Sequence, residues 1–299
     1  MAIHAQLIPL AQILEGAEYT AIWRPDWPVD IPPDAFTLKA GEALRSVVTG
    51  EGFFLEYSIG TVGLTERFPF MLNGKMAQVS LVYAENSEIM ELVITFLPGE
   101  EPWRLEVLEH RDSYPYIVRG SSGGVWYFIY FHRTANEILE TWYDVDGNFL
   151  GAYRYYLTLI DQDRRIRIVQ DLANPGMDTE LFFDSRGFVT EIRGPDGFFR
   201  ALYFREELPR FWERRPVTGG TETDAGNFIL QWGANDHLVR VTGGNGGRPE
   251  EYHSIDFRYE YDLDFIGNWV ERREIRMVRV FDLLVPETGT TFSRFVEYK

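Results

Sequence analysis

A short glycine-rich run places a serine where a nucleophile could stand. The run Gly120-Ser121-Ser122-Gly123-Gly124 matches the G-x-S-x-G pattern, in which a sharp turn between a strand and a helix exposes a serine hydroxyl. The residues that follow it are aromatic and typical of a strand, and the alternation of strands and helices that an esterase sheet needs is missing. We therefore interpret Ser122 as part of a loop between two strands.

A second run carries oxygen ligands at alternate positions. Asp144, Asp146 and Asn148 are spaced like the first ligands of a calcium-binding loop, which surrounds one hard cation with oxygen atoms. Gly147 comes fourth in the run, whereas that loop needs its glycine sixth, and Tyr155 stands where the loop needs a bidentate Glu. The sequence therefore predicts a hairpin turn, with neither a metal centre nor a cofactor. A surface calcium site at the three residues is the alternative.

Acidic and aromatic residues together could also serve sugar chemistry. A glycosidase needs two facing carboxylates, and aromatic rings can stack on the faces of sugar rings. No two carboxylates are paired by their spacing in this sequence. Solvated faces explain the adjacent acids more simply, and these are Glu100-Glu101, Glu206-Glu207 and Glu250-Glu251. A carbohydrate-active enzyme that resembles a glycoside hydrolase is therefore the alternative function, and catalysis is less favoured than binding.

The elements that must position such residues begin with a segment unlike the rest of the chain. Within residues 1–45, apolar residues from Leu7 to Leu14 have helical spacing. Pro9 limits where a helix can start, and Gly16 would end it. This pattern predicts one short helix.

A proline-rich arm follows that helix. Residues 22–34 contain prolines at intervals that exclude both a helix and a central strand. The arm carries Trp23 and Trp27, whose large rings favour burial across a sheet face or along an open sheet edge. The alternative is a ligand-contacting loop in which Trp23, Asp26 and Trp27 are the binding residues.

Composition and charge limit the fold and its partners. The chain has 299 residues, of which 45% are hydrophobic and 15% aromatic, and this favours a sheet with a substantial core. The formal net charge of −17 repels phosphate backbones, so nucleic acid is not an expected partner. The absence of cysteine excludes disulfides and thiolate chemistry. No run of about 18 apolar residues is present, so we expect no integral membrane segment.

From residue 46 onwards, strand signals and turn signals alternate. Apolar residues at every second position, such as Val79, Leu81 and Tyr83, are typical of half-buried strands. Asn73-Gly74 predicts a hairpin between two such strands. Residues 125–131 are apolar or aromatic at every position, which predicts a strand covered on both faces in the most buried part of the core.

The predicted fold class is all-β. We expect a large antiparallel meander of about eighteen short strands with at most one or two short helices, and propeller-like blades are the alternative. The predicted domains are residues 1–45, which hold the helix and the arm, and residues 46–299, which form one continuous sheet domain.

A period runs through residues 130–280. The turns that contain glycines 147, 187, 226 and 267 are 40, 39 and 41 residues apart, counted from glycine to glycine. Such a period suits a repeated sheet unit, either a wrapped meander or the four-stranded blade of a propeller. The general preference of turns for Asp, Gly and Asn is the alternative explanation.

The hairpin pattern is fullest in residues 257–273, where aromatic and polar residues alternate before a turn. Tyr261-Asp262 and Gly267-Asn268-Trp269 resemble the signature of the YD-repeat (Rhs) family. That signature is an aromatic-Asp pair, a short turn with Gly-Asn, and an aromatic or small residue that resumes the strand. The turn here is one residue longer than the usual family spacing. The resemblance covers the second half of the chain at most.

The predicted function combines elimination with this resemblance. YD-repeat proteins are typically exported or surface proteins whose sheets encase or bind other molecules, and the resemblance implies a similar role. We therefore expect a periplasmic or extracellular binding or scaffold protein without a catalytic site, with a protein or a carbohydrate as its partner. A cytoplasmic location and any oligomeric state are left open.

Overall fold

A computed structural model provides the structure of the chain. The residues that it describes are 7–16, 43–50, 53–60, 64–72, 75–96, 101–160, 163–170, 178–184, 188–195, 197–205, 208–216, 226–233, 237–244, 255–281, 283–287 and 289–298. The N-terminal arm with Trp23, Asp26 and Trp27 lies outside the described residues. Its packing and its binding role therefore stay predictions.

Strands make up most of the described chain, which holds one helix and 21 strands. The helix, α1, is Leu10–Gly16. The strands are β1 (Ala43–Gly50), β2 (Phe53–Ile59), β3 (Thr65–Leu72), β4 (Lys75–Tyr83), β5 (Ile89–Phe96), β6 (Trp103–Arg111), β7 (Tyr114–Ser122), β8 (Val125–Arg133), β9 (Glu137–Asp144), β10 (Phe149–Ile160), β11 (Asp163–Gln170), β12 (Asp178–Phe183), β13 (Val189–Gly194), β14 (Gly197–Arg205), β15 (Leu208–Pro216), β16 (Gly226–Trp232), β17 (Leu238–Gly244), β18 (Ile255–Leu263), β19 (Trp269–Val280), β20 (Leu283–Glu287) and β21 (Thr291–Tyr298).

The short helix is where the sequence predicts it. It follows Pro9 and ends at Gly16, and Leu10, Ile13 and Leu14 lie buried on one of its faces. With seven residues, α1 is far too short to cross a membrane, and the described residues contain no other helix that could do so.

The chain divides into two compact units. Unit 1 contains residues 1–20 and 59–187, and unit 2 contains residues 21–58 and 188–299. In unit 1, each strand from β3 to β12 pairs antiparallel with the next strand of the chain. A propeller blade has about four strands, so this longer ladder fits the predicted meander.

Unit 2 has a different chain path at its end. Strands β13 to β19 pair in chain order, and β19 then pairs with both β20 and β21. Strand β21 pairs with β1, and β1 pairs with β2. The first two strands of the chain therefore extend the sheet beyond its last strand, β21. The all-β antiparallel prediction is confirmed, with more strands than the expected number of about eighteen.

Strand β8 corrects one expectation. Its apolar run predicted a strand covered on both faces, but only Tyr127, Ile129 and Phe131 point into the core. Trp126 and Tyr130 alternate with them and are exposed. The prediction is wrong because aromatic residues occupy the outward positions of β8 as well as the inward ones, so the usual polar alternation is missing.

The predicted turn glycines differ in their surroundings. Gly147 and Gly267 both lie in hairpin loops with positive φ values of 82° and 97°. Gly226 is the first residue of β16, and Gly187 lies outside the described residues. Two of the four glycines therefore share one loop position, and the period of the whole region stays a prediction.

Candidate functional site

Aromatic side chains cover the exposed face of unit 1 where β8, β9 and β10 pair. On this face, Phe128 lies opposite Tyr143, and Tyr143 lies opposite Phe149 on its other side. Tyr130 lies opposite Thr141, one position further along the same face. Since directly opposite side chains of an antiparallel pair are close neighbours, these residues form one continuous surface.

The rings on this surface meet at steep angles. The centroids of Tyr130 and Tyr143 are 5.6 Å apart, and the ring planes are inclined by 85°. Tyr143 and Phe149 are 5.9 Å apart with an angle of 69°. Both pairs have the edge-to-face geometry that aromatic rings prefer. The rings therefore form corners rather than one flat platform.

A depression of about 620 Å³ opens between these rings and the hairpin that joins β9 to β10. We call it the aromatic depression. Its lining combines three rings, a hydroxyl, two carboxylates and a loop: Phe128, Tyr130, Thr141, Tyr143, Asp144, Val145, Asp146 and Gly147. Its volume lies within the range of small-molecule sites.

The hairpin of residues 144–148 owes its shape to one side chain. Asp144 Oδ1 accepts hydrogen bonds from the backbone N–H groups of Asp146 at 2.9 Å and Asn148 at 2.8 Å. Asn148 Nδ2 donates to Asp144 Oδ2 at 2.8 Å. Gly147 supplies the positive φ of 82° that the loop needs. The loop is therefore a self-contained Asx turn, as the sequence predicts.

The aromatic depression has a negative rim. The hydrogen bond from the Asn148 side chain, helped by backbone donors, lowers the pKa of the Asp144 carboxyl, so Asp144 is ionised at neutral pH. Asp146 adds a second carboxylate, two residues along the same loop. Asp144 also accepts the hydrogen bonds that hold the hairpin together, whereas the Asp146 side chain is exposed at the tip of the loop.

An arginine of the chain makes a cation–π contact on the same sheet face. The Arg119 guanidinium lies over the Trp126 ring at 5.5 Å and pairs with Glu106 on β6. Arg119 is opposite Phe128 in the β7–β8 ladder. This surface of unit 1 therefore holds a positive charge by a cation–π contact.

The carboxylates here do not have the arrangement of a glycosidase. Such an enzyme needs two carboxyl groups that flank the scissile bond. Asp144 and Asp146 come from one hairpin, and Asp144 is committed to the turn. Among the described residues, no group of three or more acidic or histidine side chains could hold a metal ion. The calcium alternative at Asp144, Asp146 and Asn148 therefore gains no third acidic side chain from the described residues.

Unit 2 contains a second copy of the hairpin loop. Residues 264–268 have the same Asp-x-x-Gly-Asn sequence, and Asp264 Oδ1 accepts from the N–H groups of Ile266 at 2.9 Å, Gly267 at 2.8 Å and Asn268 at 2.9 Å. Strand β18 continues to Leu263, so the turn begins at Asp264, two residues later than the aromatic-Asp pair suggests. The third position is Ile266 here and Asp146 in unit 1.

The second loop is covered by a tyrosine of the last strand. Tyr298 donates its hydroxyl hydrogen to Asp264 Oδ2, and Asn268 Nδ2 donates to the Tyr298 hydroxyl oxygen at 2.7 Å. Asn268 is only 1% exposed. The equivalent Asn148 is exposed. In unit 2 the loop is therefore hydrogen-bonded to Tyr298, whereas in unit 1 the same loop is exposed beside the aromatic depression.

The interior of unit 1 contains a buried acid. Glu140 accepts from the backbone N–H groups of Leu10 at 3.1 Å and Ala11 at 2.8 Å, and from Trp142 Nε1 at 2.6 Å and the Tyr155 hydroxyl at 2.8 Å. Burial raises the pKa of Glu140 to about 7, and these four donors only partly offset it. Glu140 thus joins α1 to β9 and β10, and we interpret it as structural.

Of the residues that the sequence singles out, Asp144 and Asp146 line the aromatic depression. Asn148 contributes by its hydrogen bond to Asp144. Gly123 and Gly124 make a two-residue turn between β7 and β8 with φ values of 59° and 74°. Ser122, which the sequence places in the loop, is instead the last residue of β7 and pairs with Val125.

Sequence reasoning missed the three rings of the aromatic depression: Phe128, Tyr130 and Tyr143. Two of them lie in the run at residues 125–131, which was interpreted as wholly buried. Phe128 and Tyr130 alternate with Tyr127, Ile129 and Phe131, so an aromatic residue at every outward position was the available signal.

Comparison with known proteins assigns no family. No family model matches the chain, and no curated protein matches it by sequence. Among solved structures, the chain is similar to a porin-like protein from Bacteroides uniformis ATCC 8492, with 12% sequence identity and a TM-score of 0.30 over 87% of this chain and 100% of that chain. A TM-score this low does not indicate a shared fold.

Proposed function

We propose that this chain is a binding protein of the periplasm or the extracellular space that takes a small ligand in the aromatic depression of unit 1. One observation carries the proposal. Three rings and two carboxylates converge on a single depression of about 620 Å³ on an exposed sheet face. Concave sites that combine apolar walls with a few polar groups are the usual places of ligand binding.

The exposure of the neighbouring rings supports this proposal. Trp126 is 49% exposed, Tyr130 37% and Phe149 56%. Single exposed hydrophobic residues are normal, but adjacent ones on one face often mark an interaction site. Their exposure costs free energy in the free protein, and a bound ligand would recover part of it.

Binding is favoured over catalysis by the position of the acids. Both carboxylates of the aromatic depression come from the same loop, and one of them holds that loop together. A hydrolytic mechanism on a sugar would need an acid and a base on opposite sides of the bond. The arrangement therefore suits recognition better than bond cleavage.

The location outside the cytoplasm is supported by the YD-repeat resemblance, because such proteins are typically exported. The residues that carry the resemblance, Tyr261-Asp262 and Gly267-Asn268-Trp269, lie in the second half of the chain.

A probe panel with a matched pair of variants tests the proposal. The full chain would be titrated with cello- and chito-oligosaccharides, aromatic and proline-rich peptides, and choline, and binding would be read by isothermal titration calorimetry. We expect one probe class to bind, with an affinity about two- to tenfold lower in Tyr143→Ala, because a ring contact contributes roughly 0.5–1.5 kcal/mol.

The control variant is Phe295→Ala, which removes an exposed ring from β21 of unit 2. It should leave the affinity unchanged. Binding that weakens equally in both variants, or no binding that depends on Tyr143, would overturn the proposal.

A further inference from the structure

We infer that the ligand of the aromatic depression is an organic ammonium cation, such as a quaternary or methylated amine. This inference rests on the proposed function and specifies its ligand class. It is carried by the angles between the rings, by the chemistry of the rim and by a comparison of the two hairpin loops.

The ring geometry suits a compact cation. Tyr130 and Tyr143 are packed edge to face with 5.6 Å between their centroids, so the two rings contact each other and form a corner beside the depression that both line. Phe128 lies directly opposite Tyr143 and lines the same depression. Several rings beside one depression can hold an alkylated ammonium group, because a cation is attracted to the negative face of a ring.

The rim supplies the opposite charge. Asp144 and Asp146 line the same depression as the rings, and the chain as a whole carries a formal charge of −17. Carboxylates beside aromatic walls attract a cation both at long range and on contact. An anionic ligand would meet repulsion at this place, and a neutral ligand would leave the carboxylates without a charged partner.

The twin loop shows that Asp146 is not required by the hairpin. Ile266 occupies the same loop position in unit 2, and its N–H donates to the loop aspartate at 2.9 Å, as the N–H of Asp146 does. The turn therefore needs only the backbone of its third residue. An acid at position 146 is thus available to a ligand.

The same sheet face already binds a cation of the chain itself. The Arg119 guanidinium lies 5.5 Å from the centre of the Trp126 ring, and Glu106 pairs with it. A ring with a neighbouring carboxylate is the same combination that lines the aromatic depression. The proposed ligand would repeat this contact with three rings in place of one.

Choline and its uncharged isostere, 3,3-dimethyl-1-butanol, separate charge from shape. The two molecules have the same branched head, so an apolar pocket would bind them alike. We expect calorimetry on the full chain to show choline binding about threefold or more tighter than the isostere, since a cation–π contact at an exposed site contributes about 0.5–1 kcal/mol. Choline affinity should also fall as salt is raised.

Two variants test the parts of the site separately. Asp146→Ile copies the residue of the twin loop, so it should keep the fold and the melting temperature while weakening choline severalfold. Tyr143→Leu should also weaken choline severalfold, and Phe295→Ala should not affect it. Equal choline affinity in wild type and Asp146→Ile would overturn the role of the rim.

The remaining outcomes distinguish this inference from the proposed function. If choline and the isostere bind equally, or if an oligosaccharide binds in a Tyr143-dependent way and choline does not, the ammonium assignment is wrong and the binding site stands. If no probe binds in a Tyr143-dependent way, both the ligand class and the site are wrong.

Discussion

The two Asp-x-x-Gly-Asn hairpins have the same backbone and different neighbours. In unit 2, Tyr298 covers the loop and bonds with both Asp264 and the buried Asn268. In unit 1, Asp146, Gly147 and Asn148 are exposed, and residues 144–147 line the aromatic depression. The difference teaches which positions serve the turn: the first Asp and the Gly-Asn pair are common to both loops, and the third residue is free to vary.

The two units hold buried charged side chains among different kinds of partner. Unit 1 encloses the Glu140 carboxylate among four hydrogen-bond donors. Unit 2 encloses the Arg272 guanidinium, which lies 4.1 Å from the centre of the Phe292 ring and 5.2 Å from that of Tyr259. An acid needs hydrogen-bond donors to be buried, whereas a guanidinium can also use the faces of aromatic rings.

The largest expected effect is a pH dependence that belongs to unit 1. The pKa of Glu140 is about 7 in the folded chain and near 4.5 when unfolded. Because the folded state holds the proton more tightly, its extra stability is complete below pH 4.5 and is lost as the pH rises through 7. We expect a loss of about 3 kcal/mol over this window, measured by urea denaturation of the wild type relative to Glu140→Gln.

Parallel pH profiles for the wild type and Glu140→Gln would contradict this account of the interior.

The next largest effect on stability is expected from the tyrosine hydroxyl that bonds with the loop of unit 2. Tyr298→Phe removes the hydroxyl that bonds with Asp264 and Asn268, and leaves a buried amide without this partner. We expect a loss of about 2 kcal/mol in the free energy of unfolding. Tyr143→Phe, the matched change beside the first loop, should stay within about 0.5 kcal/mol. Equal losses in the two variants would show that the loops are covered alike.

A smaller effect should be common to both loops. Gly147→Ala and Gly267→Ala each place a side chain at a positive φ, 82° in one loop and 97° in the other. We expect each change to cost about 1 kcal/mol in chemical denaturation, because only glycine adopts such angles without strain. A clear difference between the two costs would mean that the loops do not share one backbone.

The smallest effect on stability is expected at the third loop position. Asp146→Ile should change the free energy of unfolding by no more than about 0.5 kcal/mol, because its side chain is exposed and Ile266 serves in the twin loop. A loss above about 1 kcal/mol would show that Asp146 is part of the turn and weaken its assignment to a ligand.

Much of this architecture could be predicted from the sequence, because each strand carries its own pattern of alternation and each turn its own Asp, Gly or Asn. The short helix and the hairpin at Asp146-Gly147 follow from such local signals. The error at β8 has a physical cause. A run of apolar residues shows that both faces suit contact with apolar groups, but it does not show whether both faces are covered.

The remaining features depend on contacts between distant residues. Glu140 bonds with Leu10, 130 positions earlier in the chain, and with Tyr155, 15 positions later. Tyr143 meets Tyr130 only because the register of β8 and β9 places them on one face. Spacing along the sequence does not encode such pairings, so the aromatic depression could not be assembled from the sequence alone.

The most direct test of the central claim is a ¹H–¹⁵N spectrum of the full chain during a choline titration. The two loop glycines report on the two hairpins in a single sample, since Gly147 lines the aromatic depression and Gly267 has the same place in the covered loop. We predict that the Gly147 amide shifts and saturates with choline, that the Gly267 amide stays in place, and that Asp146→Ile reduces the shift. A Gly147 amide that does not move, or equal shifts at both glycines, would contradict the claim that unit 1 has turned a shared hairpin into a ligand site.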